Sequence, residues 1–341
     1  LDWKQEAERL KFEQGRSWTQ VAEALAPRFP ELNKKQVWEK VRTALRRTDQ
    51  YKTKGKITFE DIASPTSLDI DEYYELLKKT NAAVMRLESK QTKTTLHIDD
   101  DRPIGIAFWG DWHVGARGVD YEQLDADQAL IERTDGLYVI GMGDYKDNGN
   151  ALVHPASTQE TVATTDMQDK IVMRKFEQTA DKYLAVIRGC HDDWDKRNSN
   201  KDFIQVLCDI TGAVNLWHGG IVNLTVGDQE YRIGARHKYK NESGLNTTNT
   251  QRNFVNDFGH CDIVAFAHKH YAEMQHTVRM GEETIYLRSG AYKRYDEFGQ
   301  KLAGYEGGLG VPVVILYPDT HAMVPIRSLA QACEALGRMR A

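Results

Sequence analysis

The chain has 341 residues, 40% of them hydrophobic and 28% charged, with a net charge of −5, the make-up of an ordinary folded protein too long for one small core. No apolar run approaches the ~20 residues of a membrane span and no secretion-type apolar stretch opens the chain, so a cytoplasmic protein with no membrane partner is expected. Cys190, Cys208, Cys261 and Cys333 lie far apart without a CxxC pair, which argues against a disulfide framework or a structural zinc knuckle. The sequence begins at Leu1, and a start residue or an upstream piece is expected to be missing.

Charge is uneven along the chain. Residues 1 to 50 carry 11 Lys/Arg against 8 Asp/Glu, a net +3 that leaves −8 for the remainder. The pattern predicts three helices here: Asp2 to Gln14, Ser17 to Ala26 with Ser17 as N-cap, and Asn33 to Arg47 capped by Asn33. In the third, Val37, Val41, Ala44 and Leu45 share one face. Its other faces hold Lys34, Lys35, Lys40, Arg42, Arg46 and Arg47 against Glu39 alone. Three short helices with a basic last one suit a helix that enters a DNA groove. Gly15-Arg-Ser-Trp-Thr-Gln-Val-Ala-Glu-Ala-Leu25 followed by Gln36-Val-Trp-Glu-Lys-Val-Arg42 resembles helix-turn-helix or Myb-like modules over roughly 35 residues. The resemblance implies a DNA partner contacted by Lys34, Lys35, Arg42 and Arg46. A basic helical appendage that packs on another domain or subunit is the competing reading.

Residues 51–101 read as a linker with one helix. Tyr51-Lys-Thr-Lys-Gly-Lys56 is a basic arm, Ala63-Ser-Pro-Thr-Ser67 a loop, and Ile70 to Leu87 has helical length and composition. The expected organisation is residues 1–50 as a small all-α domain, 51–101 as linker, and 102–341 as an α/β domain.

From Arg102 the pattern becomes strand, helix, strand. Ile104 to Trp109 is a predicted strand, Tyr121 to Arg133 a helix, Leu137 to Gly141 a strand, Met167 to Tyr183 a helix and Leu184 to Arg188 a strand. Such alternation implies a parallel sheet whose strand ends share one rim. The second half is β-rich: Ile221 to Val226 and Glu230 to Arg236 flank a Gly227 turn, Asp262 to Ala267 is a buried strand, and Glu273 to Met280 and Thr284 to Ser289 form a second hairpin. Val311 to Tyr317 is a last strand and Leu329 to Met339 a closing helix. Two sheets packed face to face with helices outside accommodate all of these.

The chemistry sits at the strand ends. Asp111-Trp-His113 follows the first, Asp144 the second, Cys190-His191 the third, then come His237 and His268-Lys-His270. A carboxylate beside an imidazole suits Mn²⁺, Fe or Zn²⁺ better than Ca²⁺. Any one pair reads equally as a loop Asp beside a surface His; recurrence at five strand ends does not.

In this order, Asp111-Trp-His113, Gly143-Asp-Tyr-Lys-Asp-Asn148, Gly189-Cys-His-Asp192, His237 and Ala267-His-Lys-His270 resemble the calcineurin-like metallophosphoesterases, over about residues 104 to 316. The resemblance implies a four-layer αββα sandwich and a two-metal site. Asp111, His113 and His270 would hold one ion, Asp144 would bridge, and Cys190, His237 and His268 would hold the other. His191 would donate a proton to the leaving oxygen or steady the phosphate. Two divalent ions are implied, Mn²⁺ first with Zn²⁺ or Fe as alternatives. Asp147, Asn148 and Asp192 read as residues that orient ligands or as loop caps.

Two positions depart from the family pattern, which has Asn at Cys190 and Gly at Ala267. The alanine is a small-for-small change; the thiol either favours Zn²⁺ or Fe or is inert beside a weak second site. His218 in Trp217-His-Gly-Gly220 rivals His237, which is preferred because it ends a strand-like run. Lys293 and Arg294 read as phosphate contacts or as a basic turn, and Trp112 and Trp194 as walls of the site or as core. Three functions compete: a DNA phosphodiesterase or nuclease; a phosphomonoesterase or small-nucleotide phosphodiesterase, weakened because Asn148 stands where phosphoprotein phosphatases have arginine; and a DNA-binding protein with a vestigial core.

Overall fold

The computed structural model describes residues 2–45, 69–90, 92–149, 157–242, 246–279, 281–295 and 308–341. Arg46, Arg47 and the basic arm from Tyr51 to Lys56 lie outside them. The chain divides into two compact units, Leu1–Lys78 and Lys79–Ala341. No helix among the described residues is long and apolar enough to cross a membrane.

In the first unit, α1 (Trp3–Glu8) runs on through a π-helical turn (Arg9–Glu13), followed by α2 (Trp18–Leu25) and α3 (Lys34–Leu45). Ser17 caps α2 in a reciprocal box: its hydroxyl accepts from the Gln20 amide while the Gln20 side chain accepts from the Ser17 amide. Asn33 and Gln36 form the same pair ahead of α3. Ala7, Leu10, Val21, Ala22, Leu25, Phe29, Val37, Val41 and Leu45 make the core of this unit. That burial turns Lys34, Lys35 and Lys40 outward on α3.

A fourth helix, α4 (Ile70–Lys90), precedes the sheets. Within the stretch read as linker, β1 (Lys93–Ile98) is a strand, paired in parallel with β6 (Gly219–Val226). Thr94, Leu96 and Ile98 alternate with exposed Lys93, Thr95 and His97, the period of a half-buried strand. One sheet runs in the order β1, β6, β7 (Gln229–Arg236), β8 (Ile263–Phe266), β10 (Glu282–Arg288), β9 (Glu273–Arg279). The other runs β12 (Met323–Ile326), β11 (Val313–Leu316), β2 (Ile104–Trp109), β3 (Leu137–Gly141), β4 (Tyr183–Val186), β5 (Val214–Asn215).

Strands β2 to β5 pair in parallel and are joined by helices: α5 (Tyr121–Arg133) leads to β3, α6 (Ser157–Glu160) and α7 (Thr165–Gln178) to β4, and α8 (Asp193–Ser199) and α9 (Phe203–Thr211) to β5. Helix α7 begins and ends earlier than the sequence pattern implies. The Thr164 hydroxyl caps it by accepting from the Met167 amide, and a short 3₁₀ turn (Ala180–Lys182) then leads straight into β4.

Every residue of β2 is buried, because both faces of its sheet are covered. Ile104, Ile106 and Phe108 face the other sheet, meeting Val222, Leu224, Ile233, Ala235, Ile263 and Ala265. Ala107 and Trp109 face Leu124 and Ile131 of α5, Val172 and Phe176 of α7, and Leu336 of α11 (Leu329–Arg340). On the far side of the second sheet, Phe254 of α10 (Asn249–Phe258) packs on Ile221, Val264 and Phe266. The result is the four-layer αββα sandwich expected from the sequence.

Phe108 is fully buried between the sheets. Phe108→Ala is expected to lower unfolding stability by about 3–5 kcal/mol, because apolar burial disappears and a cavity is left behind, read from the urea midpoint. A shift within about 0.5 kcal/mol, the range of surface substitutions, would contradict this packing.

Candidate metal centre

Each candidate ligand leaves the carboxyl end of a strand. β2 delivers Asp111 and His113, β3 delivers Asp144, β4 delivers Cys190 and His191, β7 delivers His237, and β8 delivers His268 and His270. The turns are tight and strained: Asp111, His113, Asp144, His268 and His270 have φ of +49°, +49°, +53°, +74° and +57°. Left-handed backbone at non-glycine residues costs about 1–3 kcal/mol each and persists only where the surroundings enforce it. Glycine permits the closest approach, since a Cβ at Gly189 would collide with the Asp144 carboxylate and amide. The carbonyl of Gly143 accepts from the Asp111 amide at 2.8 Å, tying the first loop to the second.

These turns gather donor atoms into overlapping groups. Asp111, His113 and His270 form one, and Cys190, His237 and His268 another; Asp144 joins Asp111 with His237 and joins His113 with His191, all donor atoms within a group lying within 4.8 Å of one another. Asp144 Oδ2 is 3.1 Å from His237 Nε2 and 4.0 Å from His113 Nε2, so one carboxylate faces both sets. His113 Nε2 and His270 Nε2 face each other at 2.9 Å, a spacing that a shared proton or a shared cation satisfies. Cys190 Sγ lies 3.8 Å from His268 Nδ1.

The backbone fixes orientation. His237 Nδ1 donates to the Met142 carbonyl at 2.8 Å, which turns Nε2 toward Asp144. The His268 amide donates to Asp111 Oδ2 at 2.9 Å, and the His191 amide to Asp144 Oδ1 at 2.8 Å. Asp111 Oδ1 is buried without a hydrogen bond.

Electrostatics point the same way. Burial, with the Asp144 charge beside it, pushes the Asp111 carboxyl up to about 8. Burial also opposes ionisation of Asp144, yet the facing His237 and His191 hold its carboxyl well below the usual range. His237 is the converse: burial disfavours its charge, but Asp144 raises it well above an ordinary histidine. Burial pushes His113 and His270 down, and burial together with His237 brings His268 down to about 3. Imidazoles, two carboxylates and a thiol converging on one point, with one carboxylate oxygen orphaned, form a donor set that fits divalent cations.

The three residues read as ligand orienters or loop caps are all buried and bonded. Asp192 accepts from the Asp144 and Gly189 amides at 2.7 and 2.9 Å, pinning two ligand loops together. Asp147 Oδ1 lies 3.6 Å from His113 Nδ1, and its backbone carbonyl accepts from His191 Nδ1. Asn148 donates its amide to the His191 carbonyl and to Asp195, each at 3.0 Å.

Other readings are corrected by the packing. Trp112 is fully buried among Trp109, Tyr145 and Phe176 and does not wall the site. Trp194 does approach it, its ring 4.2 Å from His191. Lys293 is turned inward to Asp147 and Glu160 and Arg294 pairs with Asp120, so neither stands as an open phosphate contact. His218 falls in none of the donor groups, although it lines a cleft with Cys190 and His237. Sequence reasoning missed Arg288, buried with its guanidinium donating to the Ala267 carbonyl at 2.6 Å. It also missed Lys146, fully buried between Asp169 and Asp195. A lysine and an aspartate inside ligand-bearing loops were the available signal for the second; nothing in sequence marks the first.

The charge states carry a pH consequence. A cation takes the deprotonated form of Asp111 and the neutral form of His237, so below about pH 8 binding must expel protons that both groups otherwise hold. Metal affinity is expected to rise with pH up to about 8. Calorimetric Mn²⁺ titration at about pH 7 in buffers of different ionisation enthalpy is expected to report proton release; heats independent of buffer would contradict the donor set.

No protein-family model matches the chain, and no curated protein matches it. Solved structures do. Vps29 from Entamoeba histolytica, as a single mutant, is 11% identical with a TM-score of 0.37, covering 66% of this chain and 99% of its own. The calcineurin-like phosphoesterase YfkN from Bacillus subtilis is 13% identical with a TM-score of 0.37, covering 71% and 100%. The sulfate thiohydrolase SoxB from Thermus thermophilus, solved with glycerol, is 10% identical with a TM-score of 0.38, covering 70% and 59%. Such likenesses say nothing of substrate. Its own layers, strand order and ordered donor loops are those of the four-layer αββα sandwich expected from the sequence.

Proposed function

We propose that the chain is a two-metal phosphodiesterase acting on DNA. The observation that carries this reading is Asp144, one carboxylate facing both donor groups. Two divalent ions, Mn²⁺ in the first instance, would supply Lewis-acid chemistry for attack of water on phosphorus and offset the charge that builds there. Asp111, His113 and His270 would hold one ion, and Cys190, His237 and His268 the other. His191 keeps Nδ1 committed to the Asp147 carbonyl, which leaves Nε2 to meet the phosphate or the leaving oxygen. The thiol of Cys190 makes the second position the softer of the two.

A diester fits better than a monoester. A dianionic monoester calls for a fixed cation, and the residue at that place, Asn148, is uncharged with its amide turned inward to His191 and Asp195. The N-terminal unit supports a polymer substrate: Lys34 and Lys35 are exposed on α3, and Arg42 lies over the Trp38 ring at 4.7 Å. We assign them, with Arg46, to contacts with DNA phosphates.

With Mn²⁺ the wild type is expected to cleave single- or double-stranded DNA while Asp144→Asn falls to background. Equal degradation by both proteins would defeat the reading. Replacing Lys34 and Lys35 together by Glu should weaken DNA binding regardless of sequence and flatten the slope of log affinity against log salt by about 2, since each lysine that no longer neutralises a phosphate removes roughly one released counterion. An unchanged slope would remove the N-terminal unit from DNA recognition.

A further inference from the structure

Beside Cys190 and His237 opens a cleft of about 550 Å³ whose lining includes five cationic side chains, Arg188, Arg197, Arg236, Lys238 and Lys240. Three are neutralised. Arg188 pairs with Asp202 and Asp193, Arg197 with the same Asp193, and Lys240 with Asp257. The other two flank His237 in sequence and have no ion-pair partner among the described residues.

Arg236 is the more telling. It ends β7, its Nε is buried without a hydrogen bond, and its guanidinium lies 5.2 Å from the centre of the Tyr239 ring. A buried guanidinium nitrogen left unpaired is costly. A planar fork of donors is matched by phosphate, which it can grip through two parallel bonds. Trp194 and Tyr239 line the same cleft, giving cations interleaved with aromatic faces, the surface on which a nucleic-acid strand lays its backbone and bases.

We infer that Arg236, assisted by Lys238, binds a second phosphate of the substrate, next along the strand from the one at the metal ligands, and so selects single-stranded nucleic acid over an isolated phosphodiester. The inference rests on the phosphodiesterase reading above and goes further by naming what lies beside the reacting phosphate.

The test compares a short single-stranded oligodeoxynucleotide with bis(p-nitrophenyl) phosphate, which has a single phosphate, on the full chain with Mn²⁺. The ratio of kcat/KM for the oligonucleotide to that for the probe is expected to fall at least ten-fold in Arg236→Ala, less in Lys238→Ala, with partial recovery in Arg236→Lys. A ratio unchanged in Arg236→Ala overturns the assignment, as does a wild type that hydrolyses the probe but does not act on the oligonucleotide. Fluorescence anisotropy of the labelled oligonucleotide in chelator provides an arm independent of hydrolysis. There Arg236→Ala should bind at least ten-fold more weakly, and equal affinity overturns the subsite. If the wild type hydrolyses neither substrate, the phosphodiesterase reading fails by itself and the anisotropy arm alone judges Arg236.

Discussion

Two carboxylates buried side by side set the terms for this structure. Asp111 and Asp144 are 0% and 1% exposed, and removing even one such charge from water costs several kcal/mol when nothing compensates it. In the protein alone the conflict is relieved by protons: Asp111 retains its own up to about 8, and His237 takes one to face Asp144. That is an expensive arrangement to build, because five of the residues around it also sit in left-handed backbone at about 1–3 kcal/mol each. A well-formed divalent site supplies on the order of 10 kcal/mol, a scale that offsets both penalties. The energetic sense of the centre is a pocket strained in advance into a shape that suits divalent cations.

The rest of the fold explains how such strain is held. Strands β2, β3 and β4 are parallel neighbours packed on both faces, so their ends cannot drift. The loops beyond them are stitched by backbone amides rather than by long side chains: the Asp111 amide donates to the Gly143 carbonyl, the Asp144 and Gly189 amides to the Asp192 carboxylate, and the His191 amide to the Asp144 carboxylate. A further brace comes from Lys146, which is fully buried, pairs with Asp169 and Asp195 and lies over the Phe203 ring. Asp195 in turn takes a bond from Asn148, which also holds the His191 carbonyl. The position of His191 is thereby coupled to a buried lysine in the loop after β3 and its two carboxylate partners on α7 and α8, and removing one partner of such a buried pair typically costs about 3–5 kcal/mol.

What the sequence makes legible is what repeats. Asp, Cys and His recur just past the ends of β2, β3, β4, β7 and β8, and that recurrence marks the candidate donors, while their division between two ions comes only from the family resemblance. The strand Lys93–Ile98 carries its alternation too, but charged and threonine positions on its exposed face make it resemble the connector around it. Positive φ at Asp111 and His270, the Met142 carbonyl that fixes the His237 tautomer, and the approach of Gly189 to Asp144 leave no mark in composition or period, because they arise only when distant loops meet. Trp112 is ambiguous in sequence for the same reason: its place next to Asp111 says nothing of which way the strained turn sends its ring. It goes into the core.

Substrate choice is a separate question from metal binding, and different atoms carry it. On the proposed phosphodiesterase reading, the donor groups would meet only one phosphorus and its oxygens, which any phosphoester presents. Discrimination must come from charges that no other part of the protein already satisfies, and on the rim beside the second donor group most cations are spoken for by Asp193, Asp202 and Asp257. Among the described residues Arg236 and Lys238 are the exceptions, and they sit on either side of a metal-ligand candidate. The run Arg236-His-Lys238, at and just past the end of β7, therefore presents one imidazole to the donor group and, on the proposed reading, two cations to whatever is attached to the reacting phosphate. Recognition of a polymer and activation of its backbone would then issue from three consecutive residues.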